Sequence, residues 1–168
     1  MIEEFAMRFI FQDYTDYEEG KLARVETMVS EIPVNIHAED DSDWTLQNGQ
    51  ICEADVCAVG NDITVYSSEE EYAQSGKRMA VVSMIPMGTF PANPEDKNFK
   101  QSAHILYVGK VVDVRKNETT GEDEPNYLLT IQTYEMQFEL YVYYEGSIER
   151  GNLIYGVAWL FADVLRAE

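Results

Sequence analysis

Apolar and polar residues alternate in short runs along most of this chain, the two-residue period of extended strands rather than the longer period of helices. Phe5-Ala6-Met7-Arg8-Phe9-Ile10-Phe11 reads as a strand, and the acidic stretch Asp13 to Gly20 reads as a turn. Two registers compete between Leu22 and Ile32. Leu22, Val25, Val29 and Ile32 fit a helical face, whereas Ala23, Val25, Thr27 and Val29 fit a strand. The β-branched content favours the strand. Pro33 limits any helix, and Val34 to His37 continues as extended chain. Glu39 to Asp43 reads as a loop and Asn48-Gly49 as a turn. Gln50 to Val59 and Ile63 to Tyr66 are expected as two strands of a hairpin, joined by Gly60-Asn61-Asp62.

One short helix is expected around residues 69–75. Ser68 can cap it, with Glu71 three residues on as a capping box requires, and Gly76 can end it. Met79 to Ile85 returns to a strand. Pro86 to Pro94 then holds three of the five prolines and reads as an irregular connector.

The clearest alternation follows. His104 to Arg115 is a long strand, with a bend or bulge expected at Gly109. Lys116 to Asn126 is a polar loop. Tyr127 to Thr133 and Gln137 to Tyr144 are two further strands around a turn at Tyr134 to Met136. In the second, Phe138, Leu140, Val142 and Tyr144 share one face, and Glu139, Tyr141 and Tyr143 share the other. Glu145 to Gly151 reads as a short helical turn or a loop. Leu153 to Tyr155 and Val157 to Leu165 close the pattern, broken at Gly156.

Three hairpin-connected strands, the first long and glycine-bent, followed by a short turn and two closing strands, resemble a small OB-like β-barrel. The resemblance covers about Ser102 to Ala167 and rests on strand order and glycine placement. It implies a mainly β fold, with the barrel in the C-terminal part packed against a second β-rich lobe. The expected division is an acidic lobe over residues 1–92, a connector at 93–101 and the barrel over 102–168. The resemblance also implies a ligand or partner surface on the outer face of the second and third strands, carrying Glu139, Tyr141 and Tyr143. The chain as a whole resembles a bacterial protein.

Charge narrows the choice of partner. The 168 residues carry 31 acidic against 12 basic side chains, a formal charge of -19. Divided after Phe99, the first part holds 20 acidic and 6 basic residues and the second 11 and 6. A field of that sign repels phosphate backbones and anionic membranes and attracts cations. Nucleic-acid-binding OB barrels pair stacking aromatics with a positive groove. Here the loop after the first barrel strand sets Glu118, Glu122, Asp123 and Glu124 against Lys116, although the strand itself supplies Lys110 and Arg115.

Candidate chemistry is sparse. Cys52 and Cys57 are expected to be reduced and partly buried, pointing to opposite faces of one strand. A Cys/His zinc site would need both with His37 and His104, which lie far apart in sequence. The run Glu39-Asp40-Asp41-Ser42-Asp43 could offer oxygen ligands to Ca²⁺, but it lacks the glycine and closing glutamate of an EF-hand loop. Neither histidine shows a nucleophile beside it, and no phosphate-cradling glycine loop or Gly-x-Ser-x-Gly occurs. Trp44, Trp159 and most of the 11 tyrosines read as core or cross-strand residues. Glu3 and Glu4 replace the charged start of a signal peptide, and no apolar run reaches membrane-spanning length. The expectation is a cytoplasmic, non-enzymatic acidic protein without metal or cofactor that binds a basic protein, in a neutralising or immunity-type role. The alternatives are a small-ligand or sugar-binding OB-like module using Tyr141 and Tyr143, and a carboxylate-based hydrolase.

Overall fold

Strand-forming residues dominate, and the computed structural model, which describes residues 7–17, 20–38, 45–91, 93–116, 124–162 and 165–167, is mainly β. Its elements are β1 (Met7–Tyr17), β2 (Gly20–Thr27), β3 (Pro33–Ala38), β4 (Ile51–Ala54), β5 (Cys57–Tyr66), α1 (Glu69–Gln74), β6 (Ser83–Pro86), β7 (His104–Lys116), β8 (Tyr127–Gln132), β9 (Gln137–Val142), β10 (Leu153–Ala162) and β11 (Arg166–Ala167). The chain divides into two discontinuous units. One comprises Met1–Val56, Pro86–Ile105 and Trp159–Glu168, the other Cys57–Ile85 and Leu106–Ala158.

In the first unit the strand order is β11-β4-β1-β2-β3, and the end of β10 runs parallel to β3, pairing Phe161 with His37. Phe9, Phe11, Leu22, Val25, Ile36 and Cys52 are almost completely buried. The ambiguous segment from Leu22 is strand up to Thr27, as its β-branched residues favour. Asp13 to Tyr17 is also strand, correcting the expected turn. It pairs with β2 as far as Tyr17 opposite Gly20, after a bulge between Phe11 and Asp13. Cross-strand partners outweigh the weak strand preference of its aspartates. Lys21 Nζ donates to Asp16 Oδ1 at 2.5 Å, and the Tyr14 ring rests 4.5 Å from that of Phe11.

The connector after Pro86 is fastened to β2 and β3 by two polar side chains. Arg24 Nη2 donates to the Thr89 carbonyl at 2.7 Å and to Gln101 Oε1 at 2.8 Å, and its guanidinium lies 4.7 Å from the centre of the Phe90 ring. Asn35 Nδ2 donates to the Gly88 and Ser102 carbonyls, each at 3.1 Å. A Cβ on Gly88 would collide with the Ser102 side chain and backbone, so glycine is needed here for close approach.

The second unit holds a closed five-stranded barrel. Neighbouring strands run β10-β5-β9-β8-β7, and β7 returns to β10. β7, β8 and β9 are the antiparallel hairpins expected from the alternation, and β5 runs parallel to β9. The Gly60-Asn61-Asp62 hairpin does not form. β5 continues through all three residues, although Asp62 takes a left-handed φ of 55°, and Gly60 serves packing: a Cβ there would lie 3.1 Å from Leu140 Cδ1 and 3.3 Å from the Val157 carbonyl oxygen. Gly156 likewise lies inside an unbroken β10, where a Cβ would meet Ile63 Cγ2 at 3.2 Å. Gly109 faces Ile131 Cγ2 too closely for any side chain, and the bulge expected there falls between Val111 and Asp113.

Tyr107 and Phe138 meet edge to face at 5.4 Å in the barrel core. The loop after β9 closes over Tyr127, whose hydroxyl donates to the Gly146 carbonyl and accepts from Ile148 N–H. The single helix is capped as its sequence requires: Ser68 Oγ accepts from Glu71 N–H at 3.1 Å. The Glu71 carboxylate turns back to Ser67 N–H rather than Ser68. Tyr72 anchors the helix in a cluster with Tyr66, Val108 and Leu153. Met79 and Val81 pack against that cluster, and Val82 takes a φ of 58°, so the strand expected from Met79 begins only at Ser83.

Candidate binding face of the barrel

Alternation along β9 turns Phe138, Leu140 and Val142 into the core and leaves Gln137, Glu139 and Tyr141 half-buried outside. Register extends this into rows across the barrel wall. One row runs Asp113, Thr130, Glu139, Cys57 along β7, β8, β9 and β5; the next runs Arg115, Leu128, Tyr141, Val59. Tyr143 stands just past the end of β9, 38% exposed, with its hydroxyl donating to Glu145 Oε1 at 3.4 Å. Glu139 and Tyr141 therefore share one outer face, and Tyr143 follows beyond the strand end.

Glu139 is not a bare carboxylate. Arg115 Nη2 donates to its Oε1 at 3.3 Å, Arg115 Nε lies 3.9 Å from Asp113, and Arg150 Nη2 donates to Asp113 at 2.8 Å. The hydrogen bond from Arg150 holds the Asp113 carboxyl below the usual carboxylate range. The face is thus an apolar row (Leu128, Tyr141, Val59) bordered by a chain of alternating charges. Asp113, Arg150 and Val59 were not anticipated from sequence. Asp113 could have been suspected from a strand that bears it two residues before Arg115, but Arg150 reaches it from the loop before β10, and Val59 reaches the face only through the parallel β5–β9 pairing.

The other candidate residues are scattered. Cys52 is buried in β4 and Cys57 is half-buried at the start of β5, so they occupy different strands and form no disulfide. Burial pushes the Cys52 thiol up to about 11. His104 is exposed, its Nδ1 2.9 Å from Ser102 Oγ, and His37 is buried in β3. The Glu39 to Asp43 run, Trp44 and the loop acids Glu118, Glu122 and Asp123 lie outside the described residues. Among the described residues no three His, Cys, Asp or Glu side chains could together hold a metal ion, and no helix is long and apolar enough to cross a membrane.

No protein-family model matches the chain, and no curated protein matches it either.

Proposed function

We propose that this protein is a non-enzymatic binding module whose acidic surface meets a basic protein partner. The observation that carries the reading is how its cations are used. At least seven of the 12 basic side chains already have partners among the described residues. Lys21, Arg115, Arg150 and Arg166 pair with carboxylates, Arg24 binds Thr89 and Gln101, and Lys77 and Lys116 lie over tyrosine rings. With 31 acids, most of the carboxylate is left to find its counter-charge outside the chain. A neutralising role against a basic protein, in a cytoplasmic and bacterial setting, is the narrower form of this reading.

The order β7-β8-β9-β5-β10 is similar to an OB barrel in which β8 and β9 take the places of strands two and three, the usual ligand face. That likeness favours a second reading. Tyr141 and Tyr143, with the hydrogen-bonding pair Arg115–Glu139, suit a sugar or another small ligand.

Immobilised protein challenged with purified basic proteins and with an oligonucleotide separates these readings. The first expects retention of a basic protein that weakens between low salt and ~150 mM, where exposed charges are screened, and no retention of the oligonucleotide. Retention of the oligonucleotide at ~150 mM salt, or of neither ligand, would refute it. A thermal-shift screen of sugars that responds in the native protein but not in Tyr141→Ala/Tyr143→Ala would establish the second.

A further inference from the structure

In the unit containing β1 to β4, four rings come together on one side of the sheet. Tyr17 ends β1, His37 lies in β3, and Trp159 and Phe161 alternate on β10. The β3–β10 register sets Phe161 directly opposite His37. The His37 ring centre is 5.4 Å from that of Tyr17 and 4.9 Å from that of Trp159, and Trp159 is 6.0 Å from Phe161. Tyr17, Trp159 and Phe161 are only half-buried, so part of each ring is reachable from solvent.

His37 is the anomaly in this cluster. It is 4% exposed, and neither ring nitrogen has a hydrogen-bond partner among the described residues. Leaving buried polar atoms unpaired is costly, and a phenylalanine or leucine would fill the space without that cost. A neutral imidazole offers one accepting nitrogen, which an incoming N–H donor could satisfy. The charge of the unit as a whole favours a cationic donor: its segments hold 18 acidic and 6 basic residues. Its one cation–ring contact among the described residues, Arg24 over Phe90, lies elsewhere.

We propose that Tyr17, His37, Trp159 and Phe161 form the seat for an arginine side chain of the basic partner. The planar guanidinium stacks on the indole and phenol faces and donates to the imidazole. This assignment rests on the acidic-module reading and names where the partner is gripped. Arginine fits better than lysine because stacking and directed N–H donation both use a flat, forked group.

Trp44→Phe leaves Trp159 as the only indole and makes its emission a local report. Titration with octa-arginine should change that emission saturably, while octa-citrulline, the neutral isostere, should not. By anisotropy of labelled octa-arginine, Trp159→Ala should bind about tenfold more weakly. His37→Phe should also bind more weakly while melting no lower than the native protein. Trp159→Phe, which keeps a ring, should retain an intermediate affinity and guards against a folding defect in the alanine variant. Flat Trp159 emission at saturating peptide, or unchanged affinity in Trp159→Ala, would overturn the seat and leave the acidic-module reading standing. If octa-arginine fails to bind at all, both fall.

Discussion

Arg115 in β7 reaches past β8 to Glu139 in β9, donating from Nη2 to Oε1 at 3.3 Å on the outer wall of the barrel. The pair is partly open to water, with side-chain exposures of 55% for Arg115 and 27% for Glu139. Its worth to stability is therefore small, and its effect on binding is electrostatic. Arg115→Ala should change unfolding free energy by less than about 1 kcal/mol. At low salt it should tighten the binding of a cationic peptide, because it frees Glu139 and removes a positive charge. Denaturant melts and peptide titrations at two salt concentrations check both statements; weakened binding would show that Arg115 itself contacts the ligand.

Gly109→Ala tests the barrel's tolerance for volume. The new methyl would run into Cγ2 of Ile131, which is fully buried, so relief requires movement of the core. A loss of about 1–3 kcal/mol is expected, read as a lowered denaturation midpoint. Gly151→Ala makes a contrast of a different kind. Nothing stands within 4 Å of its Cβ, but its φ of 91° strains any side chain.

Asn35→Ala should loosen the connector. Asn35 is 2% exposed, and its amide serves the carbonyls of Gly88 and Ser102. Removing it takes the Asn35 amide from the Ser102 carbonyl and leaves the Gly88 carbonyl with Ser102 N–H alone, at a cost of about 1–3 kcal/mol. Faster amide exchange at Ser102, whose N–H donates to the Gly88 carbonyl, should accompany the loss. Arg24→Lys should be no conservative change, since one ammonium cannot reproduce the guanidinium's contacts with Thr89, Gln101 and Phe90.

The pH dependence has a definite sign at each end. Cys52 is raised from 9.0 to about 11 in the folded chain by burial. Above pH 9 the unfolded chain loses this proton first, so stability should fall as pH rises from 9 towards 11. Burial raises Tyr107 as well, which adds to the alkaline loss at still higher pH. Asp16 and Asp113 are lowered by hydrogen bonds from Lys21 and Arg150, so what they contribute is present above the ordinary carboxyl range and vanishes as pH falls through their folded values. Thermal melts across pH, with Cys52→Ala as the control for the alkaline limb, test this. Native thiol labelling should modify half-buried Cys57 well before Cys52.

Local pattern sufficed where the partner of a strand is its chain neighbour. The β7–β8–β9 hairpins, the two faces of β9 and the Ser68 cap of α1 follow from residue order, because side-chain alternation and capping act over a few residues. Glycine misled the reading. Gly60 and Gly156 carry the sequence mark of a turn, yet both lie inside strands, where Leu140, Ile63 and the Val157 carbonyl leave little room for a side chain. The same ambiguity hid Val59 from the candidate face. β5 joins β9 in parallel across more than 70 residues of chain, and such pairings leave no periodic signature. The aromatic group around His37 likewise assembles from three distant strands.

Residue order alone therefore determined a β-rich chain with a large excess of carboxylate and one short capped helix. Tertiary structure decided the rest: how the barrel closes, which cations are already engaged, and which rings surround an unpartnered histidine. Extended segments advertise their faces locally, but the choice of neighbouring strand depends on packing among residues far apart in the chain.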